Sequence, residues 1–343
     1  MNRKILLLGW GYPPNIDGGL DIHVKHLFDE LKSEGIEVTL VLPEGKAPDR
    51  EDVIGVETGD GDMIQKARRI SQETAKIAKN YDIIHTHDWF GAEAGYKAKK
   101  YSETNWVSTF HSLSTGRSRT PMGDLYRLEE AAAKESDELI AVSEKLGNEV
   151  EAEFERTPRI IHNGFSMPKS TGKDVKEELG IDGKMLFYVG RHAEQKGLEH
   201  LLYGFSKLDE DATLVLGGEG HMTDSLKQFV DILGIEGKVI FEGFIPDTEL
   251  GDYYRAADVF VSPSINEPFG LTITEALESG TPVVATESGV NELVGSSIIT
   301  VEPDSDSIRS GIIEAFKMER PDYETRIWSE MADEVIEVYR EIG

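Results

Sequence analysis

Short apolar runs rich in β-branched residues alternate along the chain with stretches whose apolar positions recur every three or four residues. In the first half "KILLLG", "EVTLVL", "DIIHTH", "WVSTF", "ELIAVS" and "RIIHN" read as strands buried on both faces. Between them lie helical patterns such as "LDIHVKHLFDELKSEG", with Leu20, Val24, Leu27, Phe28 and Leu31 on one face. A Pro-, Ser-, Gly- and Lys-rich segment near residues 164–173 reads as a linker. After it the pattern restarts with "MLFYVG", "ATLVLGG", "KVIFEG", "DVFVSPS", "TPVVATE" and "SIITV". The helical stretches "DSIRSGIIEAFKM" and "YETRIWSEMADEVIEVYREI" close the chain, divided at Pro321. This predicts an α/β protein of two doubly wound, Rossmann-like domains with a cleft between them, residues 1–165 and 166–321. Ligands of such sheets bind at the carboxyl ends of the strands. A length of 343 residues fits two domains.

Composition narrows the partners. A net charge of −28 excludes nucleic acid, whose phosphates would be repelled. The acidity belongs to a solvated surface, of which a high-salt cytoplasm is one source. Residues 1–165 hold 21 basic and 29 acidic side chains, and residues 166–343 hold 15 and 35. The basic residues gather in "KARRISQETAKIAKN", "KAKK" and the loop "STGRSRTP". These serve either helix dipoles and a solvated face, or a local patch for an anionic acceptor. With no cysteine, disulfides and thiolate zinc sites are excluded. The apolar run in "MNRKILLLGWGYPP" is too short for a signal peptide, and no run of about 18 apolar residues occurs. A cytoplasmic protein without a transmembrane segment is expected.

The glycines do not spell a nucleotide-cofactor fingerprint. "GWGYPP" has Pro14, and "GGEGHMT" has Thr223, where the third glycine would stand, and there is no Gly-Lys-Ser/Thr phosphate loop. Other residues can do chemistry. In "VGRHAEQKG", Arg191 and Lys196 follow a strand and could clamp a diphosphate, although a solvated Arg and Lys would look the same. In "NEPFGLTITEALESG" a helix starts near Leu271, and the amides of Gly270, Leu271 and Thr272 offer an anion site. Glu267 on the loop and Glu275 on the helix bracket that site, and both could accept sugar hydroxyls or simply offset the helix dipole. Gly18 and Gly19 precede a helix, as a close-approach loop or a plain turn. "IIHTHDWF" puts His85 and His87 on one face of a strand end, followed by Asp88 and Trp89. Two histidines and an aspartate can ligate a metal, but no further ligand cluster accompanies them, so no metal is assigned. His111 ends the strand "STFH" as a lone histidine.

In these motifs the chain resembles glycosyltransferase family 4, retaining enzymes of GT-B fold. The likeness runs in order through the Gly-Gly loop 18–19, "STFH", "AVS", "HNG", "GRHAEQKG", "GGEG", "FEGFIPDTEL" and "SPSINEPFGLTITEALESGTPVVAT". The resemblance implies transfer of a hexose from a nucleotide-diphosphate sugar to a hydroxyl acceptor, with no cofactor and no metal. It implies that Arg191 and Lys196 bind the diphosphate, Glu275 the ribose and Glu267 the transferred sugar. Gly270 and Leu271 would cover the phosphates, and Phe244 and Ile245 would hold the base through backbone contacts. Gly18, Gly19, Gly190 and Gly218 complete the donor-binding set, with His111 reaching the sugar from the other domain. His85, His87, Asp88 and Trp89 are assigned to the acceptor side. The fold also implies a final helix, about 322–343, that crosses back to the first domain.

"GGL" and "HTHDW" lean toward the glycogen and starch synthase branch and a glucosyl donor. Against a standard member of that branch, Ile16 stands where it carries lysine, and "SGVNE" replaces its later Thr-Gly-Gly-Leu loop. The rival readings are a GT-B phosphorylase or epimerase, and a sugar-nucleotide binder without turnover. Such a binder should have lost Glu267, Arg191 or Lys196, and all three are present.

Overall fold

A computed structural model describes residues 3–117, 123–319, 321 and 323–342; the end of the basic loop "STGRSRTP" lies outside the described residues. The chain forms two compact units, residues 1–164 with 326–343, and residues 165–325. Among the described residues no helix is long and apolar enough to cross a membrane.

Among the described residues the first unit is built on seven parallel strands. These are β1 (Lys4–Leu8), β2 (Glu37–Pro43), β3 (Val53–Val56), β4 (Ile83–His87), β5 (Asn105–Phe110), β6 (Glu138–Ala141) and β7 (Arg159–Ile160). Their order is β3-β2-β1-β4-β5-β6-β7, with Ile5 beside both Val38 and Ile83. Strand order reverses between β1 and β4, which opens a crevice at their carboxyl ends. Helices cover both faces, so Ile5, Leu6, Leu7 and Leu8 are all fully buried. Strand β3 was not expected from the sequence. It is a four-residue edge strand interrupted by Gly55, with Ile54 exposed, so its apolar signal is weak.

The second unit repeats the plan with β8 (Lys184–Val189), β9 (Ala212–Gly217), β10 (Val239–Gly243), β11 (Val259–Ser262), β12 (Val283–Thr286) and β13 (Ile299–Val301). All pairs are parallel, in the order β10-β9-β8-β11-β12-β13, with the reversal between β8 and β11.

The last helix completes the first unit. It spans Trp328–Glu341, later than the expected start near residue 322. Glu330 accepts from the Ile327 amide at 2.7 Å and fixes the helix start, while Ile327 stays extended at ψ 157°. The Trp328 ring stacks on His26 of the helix Gly19–Ser33, with centroids 4.3 Å apart and planes 4° apart. Tyr339 Oη meets His85 Nδ1 at 2.6 Å, and Arg3 donates to the carbonyls of Tyr339 and Ile342. Gly164 is required by closeness: a Cβ there would lie 2.5 Å from the Trp328 backbone nitrogen.

The segment read as a linker is tied down at its centre. Asp252, in the helix Leu250–Ala256, is buried and accepts from Ser170 Oγ, from the amide and hydroxyl of Thr171 and from the Gly172 amide. Burial alone would raise its pKa, but these hydrogen bonds prevail and hold it down at about 2. Asp252→Ala should destabilise the second unit by about 1.5–3 kcal/mol, the range for hydrogen bonds to a charged group. Chemical denaturation followed by circular dichroism measures this, and an unchanged midpoint would show that the clamp contributes little.

Candidate functional site

In the second unit the candidate residues gather at the carboxyl ends of β8, β9, β10 and β11. Gly190 follows β8 at φ 155° and Gly218 follows β9 at φ 91°. A Cβ on Gly218 would come within 2.1 Å of the Gly190 carbonyl oxygen, so the two loops touch through bare backbone. Arg191 is exposed at the start of the β8 loop. The loop then makes one short helical turn, Glu194–Lys196, and enters the helix Leu198–Ser206 through Gly197 at φ 63°. There a Cβ would strike the Pro263 carbonyl at 2.2 Å, and the Ile265 amide donates to the Gln195 carbonyl at 2.8 Å. The β8 loop is thereby fixed to the loop after β11.

That fixing brings two of the expected residues into contact. Lys196 Nζ lies 2.7 Å from Glu267 Oε2, with both side chains mostly shielded from solvent. Ser264 Oγ donates to the same carboxylate oxygen at 3.2 Å, and the backbone of Glu267 bridges to Ser288. Three residues on, Gly270 sits at φ 104° and caps the helix Leu271–Glu278 without a side chain. The first amides to bond within this helix are those of Ile273 and Thr274, both to the Gly270 carbonyl. The Leu271 and Thr272 amides therefore precede the helical ladder at its electropositive end.

Glu275 lies one turn inside the helix, and Tyr254 Oη donates to its Oε2 at 2.8 Å. The carboxyl is crowded by protein, so burial pushes its pKa up to about 7, against the lowering effect of the Tyr254 bond, and Asp247 raises it further. After β10, Phe244 is 78% exposed, whereas Ile245 is buried against Gly217. Sequence reasoning missed Ser264 and Tyr254, which hold the two glutamates. A serine in "SPS" and a tyrosine in a helix carry no signal of their own.

In the first unit Gly18 precedes the helix Gly19–Ser33 with no atom near a hypothetical Cβ, so its backbone is open to approach. Asp88, directly after β4, holds the left-handed φ of 47° and accepts from the amides of His111 and Ser112 at 2.7 and 3.3 Å. This positions His111 just beyond β5. His85, His87, Asp88 and Trp89, the four residues expected on the acceptor side, are all buried. His85 has both nitrogens engaged, by Tyr339 Oη and by Thr109 Oγ1, which makes it a packing residue.

An unexpected partner is His23, from the middle of the helix Gly19–Ser33, whose ring centroid lies 4.5 Å from that of His111 and 5.3 Å from that of His87. Its Nδ1 meets Asn163 Oδ1 at 2.7 Å. Burial lowers its pKa to about 4. In the sequence His23 looks like one more residue on the buried face of an amphipathic helix.

Comparison with known proteins spans nearly the whole chain. The model of Glycosyltransferase Family 4 matches residues 17–167, and that of the glycosyl transferases group 1 matches residues 172–332. An uncharacterised glycosyltransferase of Methanocaldococcus jannaschii is 32% identical over 98% of this chain and 98% of its own. A glycogen synthase of Mycobacterium tuberculosis is 28% identical, over 83% of this chain and 78% of its own. Among solved structures, the sucrose-phosphate synthase of Thermosynechococcus elongatus superposes with a TM-score of 0.81 at 21% identity, covering 99% of both chains. Anabaena HepE, solved with UDP and glucose, superposes with a TM-score of 0.78 at 20% identity, over 99% of this chain and 100% of that one.

Glu275 supplies a test of the site's electrostatics. Its folded pKa stands above the unfolded value, so the folded state holds the extra proton between about pH 4.5 and 7. The stability this gives is fully present below about pH 4.5 and is lost as pH rises through about 7. Glu275→Gln should therefore raise the melting temperature at pH 8 by about 2–4 °C and leave it little changed at pH 4.5. Calorimetry at the two pH values measures this, and a pH-independent difference would show that the carboxyl is not held neutral.

Proposed function

We propose, since the chain belongs to the family 4 glycosyltransferases and has the GT-B fold, that it transfers a hexosyl group from a nucleotide-diphosphate sugar to a hydroxyl acceptor with retention at the anomeric carbon. The observation that carries this reading is the contact of Lys196 with Glu267 at 2.7 Å, beside the open amide end of the helix Leu271–Glu278. A cation, a carboxylate and a helix N-terminus in one place suit a ligand that is a phosphate at one end and a polyol at the other.

Breaking the bond between the anomeric carbon and the phosphate oxygen leaves negative charge on the diphosphate and positive character on the sugar ring. Lys196 exchanges its carboxylate partner for the diphosphate and, with Arg191 and the amides of Leu271 and Thr272, stabilises the leaving group. Gly190, Gly218 and Gly270 let the backbone approach it. Glu267, released from Lys196, accepts hydroxyls of the transferred sugar and holds it in place. Glu275 accepts the ribose hydroxyls, with its pKa drawn down as they bond to it. Phe244 and Ile245 cover the base through their backbone, His111 contacts the sugar, and the loop of Gly18 and Gly19 approaches the donor.

A retaining double displacement needs two carboxyls about 5 Å apart flanking the bond, and the motif around Glu267 supplies one. The acceptor oxygen therefore attacks on the face the diphosphate leaves, and its proton passes to a departing phosphate oxygen. The cations carry the charge, so the transfer requires no metal. A glucosyl donor is favoured by "GGL" and "HTHDW", by the glycogen synthase relative and by the HepE complex with UDP and glucose. Elongation of an α-glucan is the second reading, on the same observations.

Incubation with a panel of nucleotide sugars and sugar acceptors, scored by nucleotide release and by the anomeric configuration of the product, tests the proposal. Nucleotide release with an α-linked product from an α-linked donor is expected. Tight donor binding with no release under any pairing would leave only a binding protein. Lys196→Ala should lower kcat by about 10²–10³, the cost of losing one donor to a developing anion, with the circular dichroism spectrum unchanged. A near-normal rate would show that the diphosphate sits elsewhere.

A further inference from the structure

Three histidines around the carboxyl ends of β4 and β5 form a cluster, of which the proposed reaction uses only His111. We propose that His23, His87 and His111 bind one divalent transition-metal ion of the zinc class. One nitrogen from each ring lies within 4.8 Å of the others, the only such group of three or more histidine or carboxylate ligands among the described residues.

The spacing suits a metal. Three imidazoles around a tetrahedral zinc, with bonds of about 2.0–2.1 Å, put their ring centroids about 5 Å apart and their bonding nitrogens about 3.3 Å apart. Here the centroids are separated by 4.5, 5.3 and 5.3 Å. His87 Nδ1 and His111 Nε2 already face each other at 3.1 Å. Only one of two such nitrogens can carry the proton between them. An ion would take both lone pairs, and that proton would move to the far nitrogen of its own ring.

His23 is prepared for the same role. Its Nδ1 is committed to the Asn163 carbonyl oxygen and so is the protonated nitrogen. Nε2 is left with its lone pair, is buried and has no hydrogen-bond partner. A metal-ligating histidine is ordinarily oriented in this way, by a carbonyl or carboxylate on its other nitrogen. His85 stands next to His87 but cannot join, because both its nitrogens are taken. Without thiolates or carboxylates, the donor set favours zinc, cobalt, nickel or copper over magnesium or calcium. His87 and His23 are fully enclosed, whereas His111 is partly exposed, so a fourth position opens on its side. If His111 contacts the transferred sugar, an ion there withdraws its nitrogen and zinc inhibits transfer. That consequence alone rests on the proposed function; binding does not.

The test uses the full chain without a histidine tag, stripped of metal by a chelator. Equilibrium dialysis against zinc and titration with cobalt(II), read by the visible bands of a tetrahedral site, should both give one ion per chain. His111→Ala, at a partly exposed position, should abolish the cobalt spectrum. Asn163→Ala should weaken zinc binding by about 10–100-fold, as loss of an orienting partner does. His221→Ala, at an exposed histidine elsewhere, should bind one ion as before. No ion bound at about 10 μM zinc, or an unaltered cobalt spectrum in His111→Ala, overturns the site. One ion bound with transfer unaffected by zinc keeps the site and removes His111 from the sugar.

Discussion

Each unit runs all its strands in one direction, and the rest of the molecule follows from that constraint. Parallel strands place every outgoing loop on the same edge of the sheet. Residues far apart in sequence thus share a neighbourhood whenever they follow a strand. Arg191 follows β8, Gly218 follows β9, Phe244 follows β10 and Glu267 follows β11. In the first unit Asp88 follows β4 and His111 follows β5. Buried on both faces, the strands are rigid, which lets the loops depart from ordinary backbone geometry, as at Asp88, without loss of the sheet.

Within the second unit the loops are held to each other chiefly by backbone. Gly218 against Gly190, and Gly197 against Pro263, are contacts that any side chain would prevent. The charged groups are consequently placed by the chain itself and less by packing of their long side chains. The contact of Lys196 with Glu267 also keeps two opposite charges neutralised in a partly buried spot, where either alone would carry a desolvation penalty. A ligand that brings both a phosphate and hydroxyls offers each of them a new partner at once.

Much of this was legible in the sequence, for physical reasons. Strands buried on both faces leave continuous apolar runs, so twelve of the thirteen among the described residues were readable; β3 was not, because an edge strand with Gly55 needs little apolar character. Arg191, Lys196, Glu267 and Glu275 stand out because they lie in or just after the glycine-bearing loops that follow strands. What pairs across the fold was illegible. The clamp of Asp252 on residues 170–172 joins positions about 80 residues apart. His23 is hidden for a similar reason, since its meeting with His111 depends on how one helix packs on the sheet. His85 is a further case, since its place on the strand was readable but its partner Tyr339 was not.

The chain leaves the first unit after residue 164 and returns to it at residue 326. The second unit is thus continuous in sequence, while the first is assembled from both ends. A chain emerging from the ribosome has all of residues 165–325 available before Trp328 and Tyr339 can reach His26 and His85. Synthesis therefore supplies every residue of the second unit before the first unit can gain the helix that carries Trp328 and Tyr339. For that interval the faces that Trp328 and Tyr339 will bury are open, and the order of translation makes this amino-terminal unit, synthesised first, the last to be completed.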